Sequence, residues 1–425
     1  MIAIFDIGKT NKKLFVFDEY YNIVWERSCT CPQTVDEDGQ PCEDLAQLNA
    51  FIKDSLAQLP TDLPVHAVNF SAYGASFVYI GKDGKPVAPL YNYLKPYPDE
   101  LKEKFYAAHG GEVTFSMLTA SPVLGSLNSG MQLYRIKEEQ PKLFEKIHYA
   151  LHLPQYLSYL LTGTPCSEIT SIGCHTNLWN FSQQHYHEWV YREGIIDKLA
   201  PILPSTSALQ ASATRISGIG LHDSSAAMIP YFESFREPFL LISTGTWCIS
   251  MNPFNDSPLT VAELQKDSLC YMSYQGKPVK ASRLFAGYEH DQEVQRLAEQ
   301  FNVTPAAANT VAFDPITVQQ IRSNSHRIPE SFAQAYHQLM VGIMEKQVVS
   351  TQLVLNGTDV KRIFVDGGFG KNQVYMHLLA ESFPDIEVFA ASISQATAIG
   401  AALAIHEHWN SRNRPGDIIE LKYYK

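Results

Sequence analysis

Three short turns in this sequence combine glycine with hydroxyl and amide side chains, and each follows an apolar, β-prone run. They lie in the segments IFDIGKTNKKLFVFD (4–18), LLISTGTWCISMN (240–252) and IFVDGGFGKNQ (363–373). A turn at the end of a buried strand leaves backbone N–H groups free to meet an anion. Together the three turns predict one split site for a phosphate-bearing nucleotide.

The first turn carries the groups that a polyphosphate requires. Gly8 permits close approach of the backbone. The polar side chains available there as donors or positive charges are those of Thr10, Asn11, Lys12 and Lys13. Asp6, just before the turn, is placed to hold Mg²⁺ through water. For this segment alone, an ordinary hairpin with Asp and Gly at its bend is the alternative.

The other two turns complete the predicted nucleotide site. The second presents Thr244, Gly245 and Thr246 to the opposite side of the same phosphates. In the third, Gly367 and Gly368 offer bare backbone to a flat purine, and Asn372 follows to hydrogen-bond its edge. A tight strand-to-helix turn is the alternative for these two glycines.

Composition limits the kinds of partner. The chain has 425 residues, 45% of them hydrophobic, which is enough for two large domains. A net charge of −11 without a long basic run argues against nucleic acid and against an anionic membrane, so a small molecule is the expected partner. The sequence shows no signal peptide and no 18-residue apolar run, which predicts a soluble, cytoplasmic protein. The seven scattered cysteines are expected to be reduced.

Strands and helices alternate along both halves of the chain. The hydrophobic pattern predicts strands at 2–6, 12–18, 22–28, 65–70, 76–80, 239–243, 247–251, 361–365 and 386–389. It predicts helices at 44–58, 128–139, 152–161, 283–301, 331–355, 371–382 and 394–408. The first and second turns echo each other, which indicates one duplicated fold with a boundary near residue 235.

In this order and at these separations, the three turns resemble the phosphate-1, phosphate-2 and adenosine motifs of the actin-like ATPase superfamily, and specifically of the FGGY carbohydrate kinases. GLHDSSAAMIP (220–230) is similar to the His-Asp-Thr-Ala-Ser-Ala stretch of rhamnulokinase-type members. The match extends to LPQYLSYLLTG with the SEIT that follows (153–170), and to SQATAIGAALA near the C-terminus.

The resemblance implies an α/β fold of two ribonuclease-H-like domains, residues 1–235 and 236–425, with a nucleotide and sugar cleft between them. It implies ATP and Mg²⁺ as cofactors, with Asp6 as the residue nearest the metal, and a small-molecule sugar as partner. Homodimers are common in the family, so a homodimer is expected here.

The resemblance also assigns roles. Asp223 takes the role of the catalytic base and His222 that of a sugar contact. SAYGASF (71–77) matches the sugar-binding loop, where Tyr73 and Gly74 are the expected contacts and a packed aromatic is the alternative for Tyr73. An apolar patch for a methyl-bearing sugar would come from Ala72, Ala75 and Phe77. The similarity to rhamnulokinase-type members at GLHDSSAA suggests a 6-deoxyketose such as L-rhamnulose or L-fuculose, while xylulose and ribulose stay open.

The sequence departs from the family pattern in three places. Lys9 occupies a position that is usually threonine, where it either adds charge at the γ-phosphate or points to solvent. Lys13, a point charge rather than a guanidinium fork, stands at the basic position that closes the first motif. SRLFAGYEHDQE (282–293) is unfamiliar, which puts a nucleotide contact from Gly287 in doubt.

Two other classes share this scaffold. A chaperone-type or actin-type ATPase would use the three turns to drive partner binding, but the His222-Asp223 pair and the lack of a peptide-binding domain argue against it. A silent sugar-sensing protein would be expected to lack Asp223 or to carry a DNA-binding helix-turn-helix, and neither sign is present in the sequence.

Overall fold

The structure of the protein is a computed structural model that describes residues 1–74, 76–324 and 328–425. Ala75, expected above to contribute to an apolar patch, lies outside the described residues.

The first half of the chain contains both strands and helices. In chain order its elements are β1 (Ile2–Ile7), β2 (Lys12–Phe17), β3 (Ile23–Cys29), β4 (Gln33–Val35), β5 (Pro41–Glu43), α1 (Leu45–Ala57), β6 (Ala67–Ala72), β7 (Phe77–Ile80), α2 (Asp99–Ala108), α3 (Glu112–Thr119), α4 (Ser129–Glu139), α5 (Pro141–Lys146), β8 (Tyr149–His152), α6 (Leu153–Thr162), β9 (Ser167–Glu168), α7 (Ile169–Ile172), β10 (Trp179–Asn180), β11 (His185–Tyr186), α8 (Glu188–Arg192), β12 (Ile202–Leu203), β13 (Ala208–Ser212), β14 (Arg215–Gly218), β15 (Leu221–His222) and α9 (Asp223–Ser234).

The second half also contains both strands and helices. Its elements are β16 (Phe239–Thr244), β17 (Cys248–Asn252), α10 (Val261–Leu264), β18 (Ser268–Met272), β19 (Pro278–Leu284), α11 (Ala286–Phe301), α12 (Pro315–Ser323), α13 (Phe332–Leu355), β20 (Arg362–Gly367), α14 (Gln373–Ser382), β21 (Glu387–Ser392), α15 (Ala396–Ala404), α16 (His406–Trp409) and β22 (Glu420–Tyr424). Short 3₁₀ helices occur at Gly125–Leu127, Ile196–Lys198, Pro305–Thr310 and Phe369–Lys371.

One mixed sheet organises the first half. Its seven strands have the order β13-β14-β6-β1-β2-β3, with β15 also paired to β6. β1 forms an antiparallel hairpin with β2, and both β1 and β15 run parallel to β6. Because the carboxyl ends of parallel strands meet at one edge, the residues that follow β1, β6 and β15 lie together.

The second half repeats this arrangement. Its seven strands have the order β18-β19-β17-β16-β20-β21-β22. β16 forms an antiparallel hairpin with β17 and runs parallel to β20, as β1 does with β2 and β6. Ser243 on β16 pairs with Asp366 on β20, as Asp6 on β1 pairs with Ser71 on β6. The repeat supports the duplicated fold that the echo between the two turns predicts.

Helices α9 and α15 join the two halves. α15 reads ATAIGAALA, packs against α9 and also contacts β1 and β6 of the first sheet. The helices cross so closely that a Cβ on Gly400 would lie 1.8 Å from the carbonyl oxygen of Ala226. The Asn69 side chain donates to the carbonyl of Ala401 across the same contact, at 2.8 Å. Small residues therefore permit backbone contact between the halves.

The predicted elements are present, most with ends shifted by one or two residues and two with larger corrections. Residues 283 and 284 belong to β19, and α11 begins only at Ala286. The helix predicted at 394–408 is two helices, since Ile405 leaves the helical conformation between α15 and α16. Among the described residues, the cysteines form no disulfide. Among the described residues, no helix combines the length and apolarity that a membrane crossing requires.

Candidate active site

Asp223 lies at the edge of the first sheet where β15 ends and α9 begins. Its carboxylate accepts a hydrogen bond from the Ser224 backbone N–H at 2.6 Å, and 32% of the side chain stays exposed. Burial raises the pKa of Asp223 to about 6, against the opposing effect of the Ser224 hydrogen bonds. A carboxylate with this pKa is a suitable proton acceptor near neutral pH.

His222 is held against this carboxylate. Its Nε2 lies 3.2 Å from Oδ1 of Asp223, and burial lowers the pKa of the imidazole to about 4, so the ring is neutral at pH 7. Tyr271 packs on the ring, with centroids 5.7 Å apart. On the other side, a Cβ on Gly74 would lie 2.8 Å from Cδ2 of His222. Gly74 is thus needed to admit the imidazole, in addition to any sugar contact.

Asp6 lies in the same region, near the end of β1. Burial raises the pKa of Asp6 to about 6, and the negative charge of Asp223 contributes in the same direction. Hydrogen bonds from Thr397 and Ser71 and the positive charge of Lys13 oppose this rise. The topology therefore brings together the two carboxylates that the sequence assigned to the base and to the metal.

The donors around Asp6 fit Mg²⁺ only as a partly hydrated ion. Among the described residues, no group of three His, Cys, Asp or Glu side chains forms a metal cage. Mg²⁺ keeps several waters and is commonly held by one or two carboxylates together with substrate phosphates. One carboxylate with a second nearby, partly buried and flanked by hydroxyls, matches that donor set.

Lys12 braces the first turn from inside. The turn closes through a hydrogen bond from Gly8 N–H to the carbonyl of Asn11 at 3.0 Å, and both Thr10 and Asn11 are exposed at its tip. The ammonium of Lys12 is 1% exposed and donates to the carbonyls of Gly8 and Lys9. It also forms an ion pair with Glu43 on β5.

The Glu43 carboxylate lies 3.0 Å from Nζ of Lys12. Since its ammonium is buried and bonded, Lys12 does not supply charge to a phosphate, which corrects that alternative. Lys13 is half-buried and pairs with Asp6 across the β1–β2 hairpin, so its contact with a phosphate stays a prediction.

The Lys9 side chain points toward side chains of other segments, not into solvent and not along the turn. Its side chain is 23% exposed, and its Nζ lies 3.5 Å from Oε1 of Glu43. The ammonium sits over two aromatic rings, 5.1 Å from the centroid of Tyr93 and 5.4 Å from that of Tyr73. Tyr73 is itself 7% exposed and belongs to the core of the first half, as its packed-aromatic alternative expects.

A large cavity opens in the second half. Its volume is about 890 Å³. The predicted site residues that line it are Thr244, Gly245, Gly368 and Asn372, together with Gly287, whose part was in doubt. Among the described lining residues, Thr246 and Gly367 do not appear.

Two glycines around this cavity permit close backbone contacts. A Cβ on Gly287 would lie 1.8 Å from the carbonyl oxygen of Gly245. Gly367 has φ +89°, and a Cβ there would lie 1.9 Å from the carbonyl oxygen of Thr244. Gly367 therefore shapes the turn, whereas Gly368 faces the cavity.

Two predicted ligand-binding side chains already have protein partners. The Thr244 hydroxyl donates to the carbonyl of Asp366 at 2.6 Å and accepts from the N–H of Phe369 at 3.0 Å, so it ties the second turn to the third. Asn372 is the N-cap of α14 and accepts from the N–H of Tyr375 at 3.0 Å. Its amide also donates to the Tyr336 hydroxyl at 2.6 Å. One amide hydrogen remains for a ligand, because the backbone N–H of Asn372 donates to the carbonyl of Phe369 and its own carbonyl accepts from Met376 N–H.

Several lining residues were missed from the sequence. Asn309 and Thr310, at the end of the short helix Pro305–Thr310, line the cavity together with Val311 and Ala312, which follow it. His290, Asp291 and Lys371 complete the rim. The segment TPAAANTVAFDP lacks the glycine-hydroxyl pattern that marks the other turns, so only tertiary packing places it here.

Two family models match the chain. The model described as "FGGY family of carbohydrate kinases, N-terminal domain" matches residues 1–220. The model described as "Carbohydrate kinase FGGY, C-terminal domain" matches residues 236–413.

Among curated proteins, a rhamnulokinase from Mannheimia succiniciproducens is 22% identical over 407 residues, which cover 87% of this chain and 80% of that protein. A rhamnulokinase from Halalkalibacterium halodurans is also 22% identical, with coverages of 88% and 85%.

Solved structures share the fold. A carbohydrate kinase from Novosphingobium aromaticivorans has a TM-score of 0.84 at 22% identity and covers 100% of this chain and 96% of its own. A ligand-bound xylulose kinase from Lactobacillus acidophilus has a TM-score of 0.80 at 15% identity, with coverages of 100% and 94%. The predicted two-domain α/β fold of the actin-like ATPase superfamily is confirmed.

Proposed function

The chain belongs to the FGGY family of carbohydrate kinases, and from that premise we propose that it phosphorylates a terminal hydroxyl of a ketose with Asp223 as general base. Family membership makes the protein an ATP-dependent phosphotransferase with a sugar alcohol group as acceptor. It thereby replaces the partner-driven ATPase and the silent sensor as interpretations of the scaffold. The identity of the acceptor and the roles of individual residues are our proposals.

The observation that carries the role of Asp223 is its partly exposed carboxylate, with a pKa raised to about 6, at the edge it shares with Asp6. In the proposed step, the sugar hydroxyl oxygen forms a bond to the γ-phosphorus while its proton passes to Asp223. The bond from the γ-phosphorus to the β–γ bridging oxygen breaks, and ADP leaves with the electron pair. Neutral His222 orients the carboxylate and contacts the sugar.

The first turn and Asp6 would receive the phosphates. The groups that we assign to this end of the nucleotide are Gly8, Thr10, Asn11, Lys13, Thr246 and Asp6, with Mg²⁺ beside Asp6 through water. When bound, Mg²⁺ supplies neutralisation of charge on the phosphate oxygens. Lys13, which already lowers the pKa of Asp6, adds a second positive charge.

The cavity of about 890 Å³ would hold the nucleoside end of ATP. Gly245 and Gly368 present bare backbone to it, which suits a flat ring, and Asn372 has one amide hydrogen left for a ligand. We assign Thr244 and Gly367 to shaping these turns, since their contacts are internal to the protein.

For the acceptor we propose a 6-deoxyketose such as L-rhamnulose or L-fuculose. The similarity of GLHDSSAAMIP to rhamnulokinase-type members and the names of the curated relatives support this choice. The xylulose kinase among the structural neighbours keeps xylulose and ribulose as the alternative. Tyr73 and Gly74, beside Lys9 and His222, are the proposed sugar-side residues.

We further propose a domain boundary at residues 235 and 236, between the end of α9 at Ser234 and the start of β16 at Phe239. The second family model begins at residue 236, which supports this position. A homodimeric assembly and a cytoplasmic location stay predictions.

The first experiment measures ADP release from MgATP against L-rhamnulose, L-fuculose, D-xylulose and L-ribulose. Turnover confined to the 6-deoxyketoses supports the proposal, and preferential turnover of a pentulose favours the alternative. Asp223→Asn should abolish the sugar-dependent rate and leave ADP binding intact. Asp62→Asn removes a carboxylate from an exposed position and serves as the matched control. Wild-type turnover by Asp223→Asn would show that the base is elsewhere.

A further inference from the structure

Lys9, Glu43, Tyr73 and Tyr93 form a cluster, here called the Lys9 pocket, beside the first turn. Two ammonium groups in this region share one carboxylate, since Glu43 lies 3.0 Å from Lys12 and 3.5 Å from Lys9. Lys12 is buried and also donates to two backbone carbonyls, so its hydrogen bonds are committed to the protein. The longer, partly exposed pair leaves the charge of Lys9 incompletely neutralised.

Tyr93 is the member of the pocket that lies toward Asp223. The two tyrosine rings, 5.1 and 5.4 Å from Nζ of Lys9, fix the ammonium by cation–π attraction. Tyr93 is near enough to Asp223 for that charge to contribute to the raised pKa of its phenol. Burial lowers the pKa of Lys9 and Glu43 raises it, as expected for an ammonium partly removed from water. Tyr93, whose ring lies 5.1 Å from the Lys9 ammonium, therefore connects Lys9 to the region of the proposed base.

The reaction brings only one anion to this position. The ketoses of the proposed function are neutral, whereas the γ-phosphoryl group of ATP is negatively charged and must pass between the first turn and Asp223. A fixed cation there would stabilise charge on the phosphoryl oxygens as the bond to ADP breaks.

We propose that the ammonium of Lys9 is a catalytic group that binds the transferred phosphoryl group. The inference rests on the proposed function, because it takes its anion from ATP. As the acceptor oxygen bonds to the γ-phosphorus and ADP leaves, Lys9 contacts a non-bridging oxygen and Asp223 takes the hydroxyl proton. Lys9 neither gains nor loses a proton. Glu43 and the two tyrosines are positioning residues that hold the ammonium before ATP arrives.

The test compares Lys9→Met and Lys9→Thr with the wild type, using the sugar that the panel identifies. Loss of one preorganised donor at a charge-developing oxygen costs about 10²–10³-fold in kcat, so we expect kcat to fall by about that factor. We expect the KM for sugar to change less than about threefold, because uniform binding is untouched. Lys53→Met removes the same charge from an exposed position on α1 and should behave as wild type. Lys9→Arg, which keeps the charge, should retain more activity than Lys9→Met.

A binding measurement separates this inference from the proposed function. Titration calorimetry with MgADP and with a non-hydrolysable MgATP analogue needs no sugar. In Lys9→Met, affinity for the analogue should fall while affinity for ADP is unchanged. If no sugar is turned over by the wild type, the proposed function fails, and this ratio of affinities still decides the role of Lys9.

Three results would overturn the inference. Unchanged kcat in Lys9→Met would show that the ammonium does not act in transfer. A rise confined to the KM for sugar would make Lys9 a ligand of the acceptor, as expected for an acidic sugar. Equal loss of ADP and analogue affinity would show that the substitution acts through the shape of the turn. If Lys9→Met does not fold, Lys9→Arg tests the same point.

Discussion

The raised pKa of Asp223 predicts that activity is lost in mildly acidic solution. Burial moves this pKa from the ordinary 3.8 to about 6. A general base acts only when deprotonated, so kcat/KM should rise with pH through about 6 and level off above about 7. At pH 5 about one-tenth of the sites would be active, whereas a carboxyl with an ordinary pKa would leave more than about nine-tenths active. The expected difference is about tenfold.

The assay follows kcat/KM for the sugar from pH 4.5 to pH 8 at constant ionic strength. The terminal phosphate of the nucleotide also titrates near pH 6, so one profile alone does not identify the carboxylate. Ser224→Ala removes a hydroxyl that hydrogen-bonds the Asp223 carboxylate and lowers its pKa. The acidic limb should therefore move to higher pH in the variant, while the nucleotide titrates identically in both proteins. The reasoning would be refuted if the acidic limb of the wild-type profile lay below pH 5, or if the limbs of the wild type and Ser224→Ala coincided.

Substitutions at three positions have distinct expected outcomes. Asp223→Asn should lower kcat by about 10²–10⁴-fold with ADP affinity retained, measured by kinetics and calorimetry. Because the folded-state pKa of Asp223 is raised, this group adds stability below its unfolded-state pKa, and that contribution is lost as pH rises through about 6. Asp223→Asn should therefore unfold at a higher temperature than the wild type at pH 8, but not at pH 4. Gly287→Ala should weaken ADP binding at least about tenfold, since its Cβ would overlap the carbonyl of Gly245 and only a shifted turn relieves this; unchanged affinity would remove the turn from the site. Asn372→Ala should cost about 1 kcal/mol of unfolding free energy through the lost cap of α14 and also weaken ADP binding, whereas Asn372→Asp should keep most of the cap.

The strands and the three turns could be predicted because their signals are local. Apolar runs that end in Gly with Thr or Asn mark the ends of β1, β16 and β20 without knowledge of what packs on them. Only the family resemblance predicted that Asp6 and Asp223 lie close together. β15 has two residues, and no periodic pattern indicates that it lies parallel to β6.

What could not be predicted depends on distant partners. Lys12 and Lys13 are adjacent on β2, and strand alternation puts them on opposite faces. Which of them is buried depends on Glu43, 31 residues away. The direction of Lys9 likewise depends on Tyr73 and Tyr93, which belong to other segments.

Helices α9 and α15, which pack together between the halves, position the two carboxylates Asp6 and Asp223. Asp223 opens α9, and Thr397, in the first turn of α15, hydrogen-bonds Asp6. Both helices also meet where Gly400 contacts the backbone of Ala226, too closely for any larger side chain. Because Asp223 begins α9 and Thr397 of α15 bonds Asp6, the packing of these two helices on each other ties the positions of the two carboxylates together.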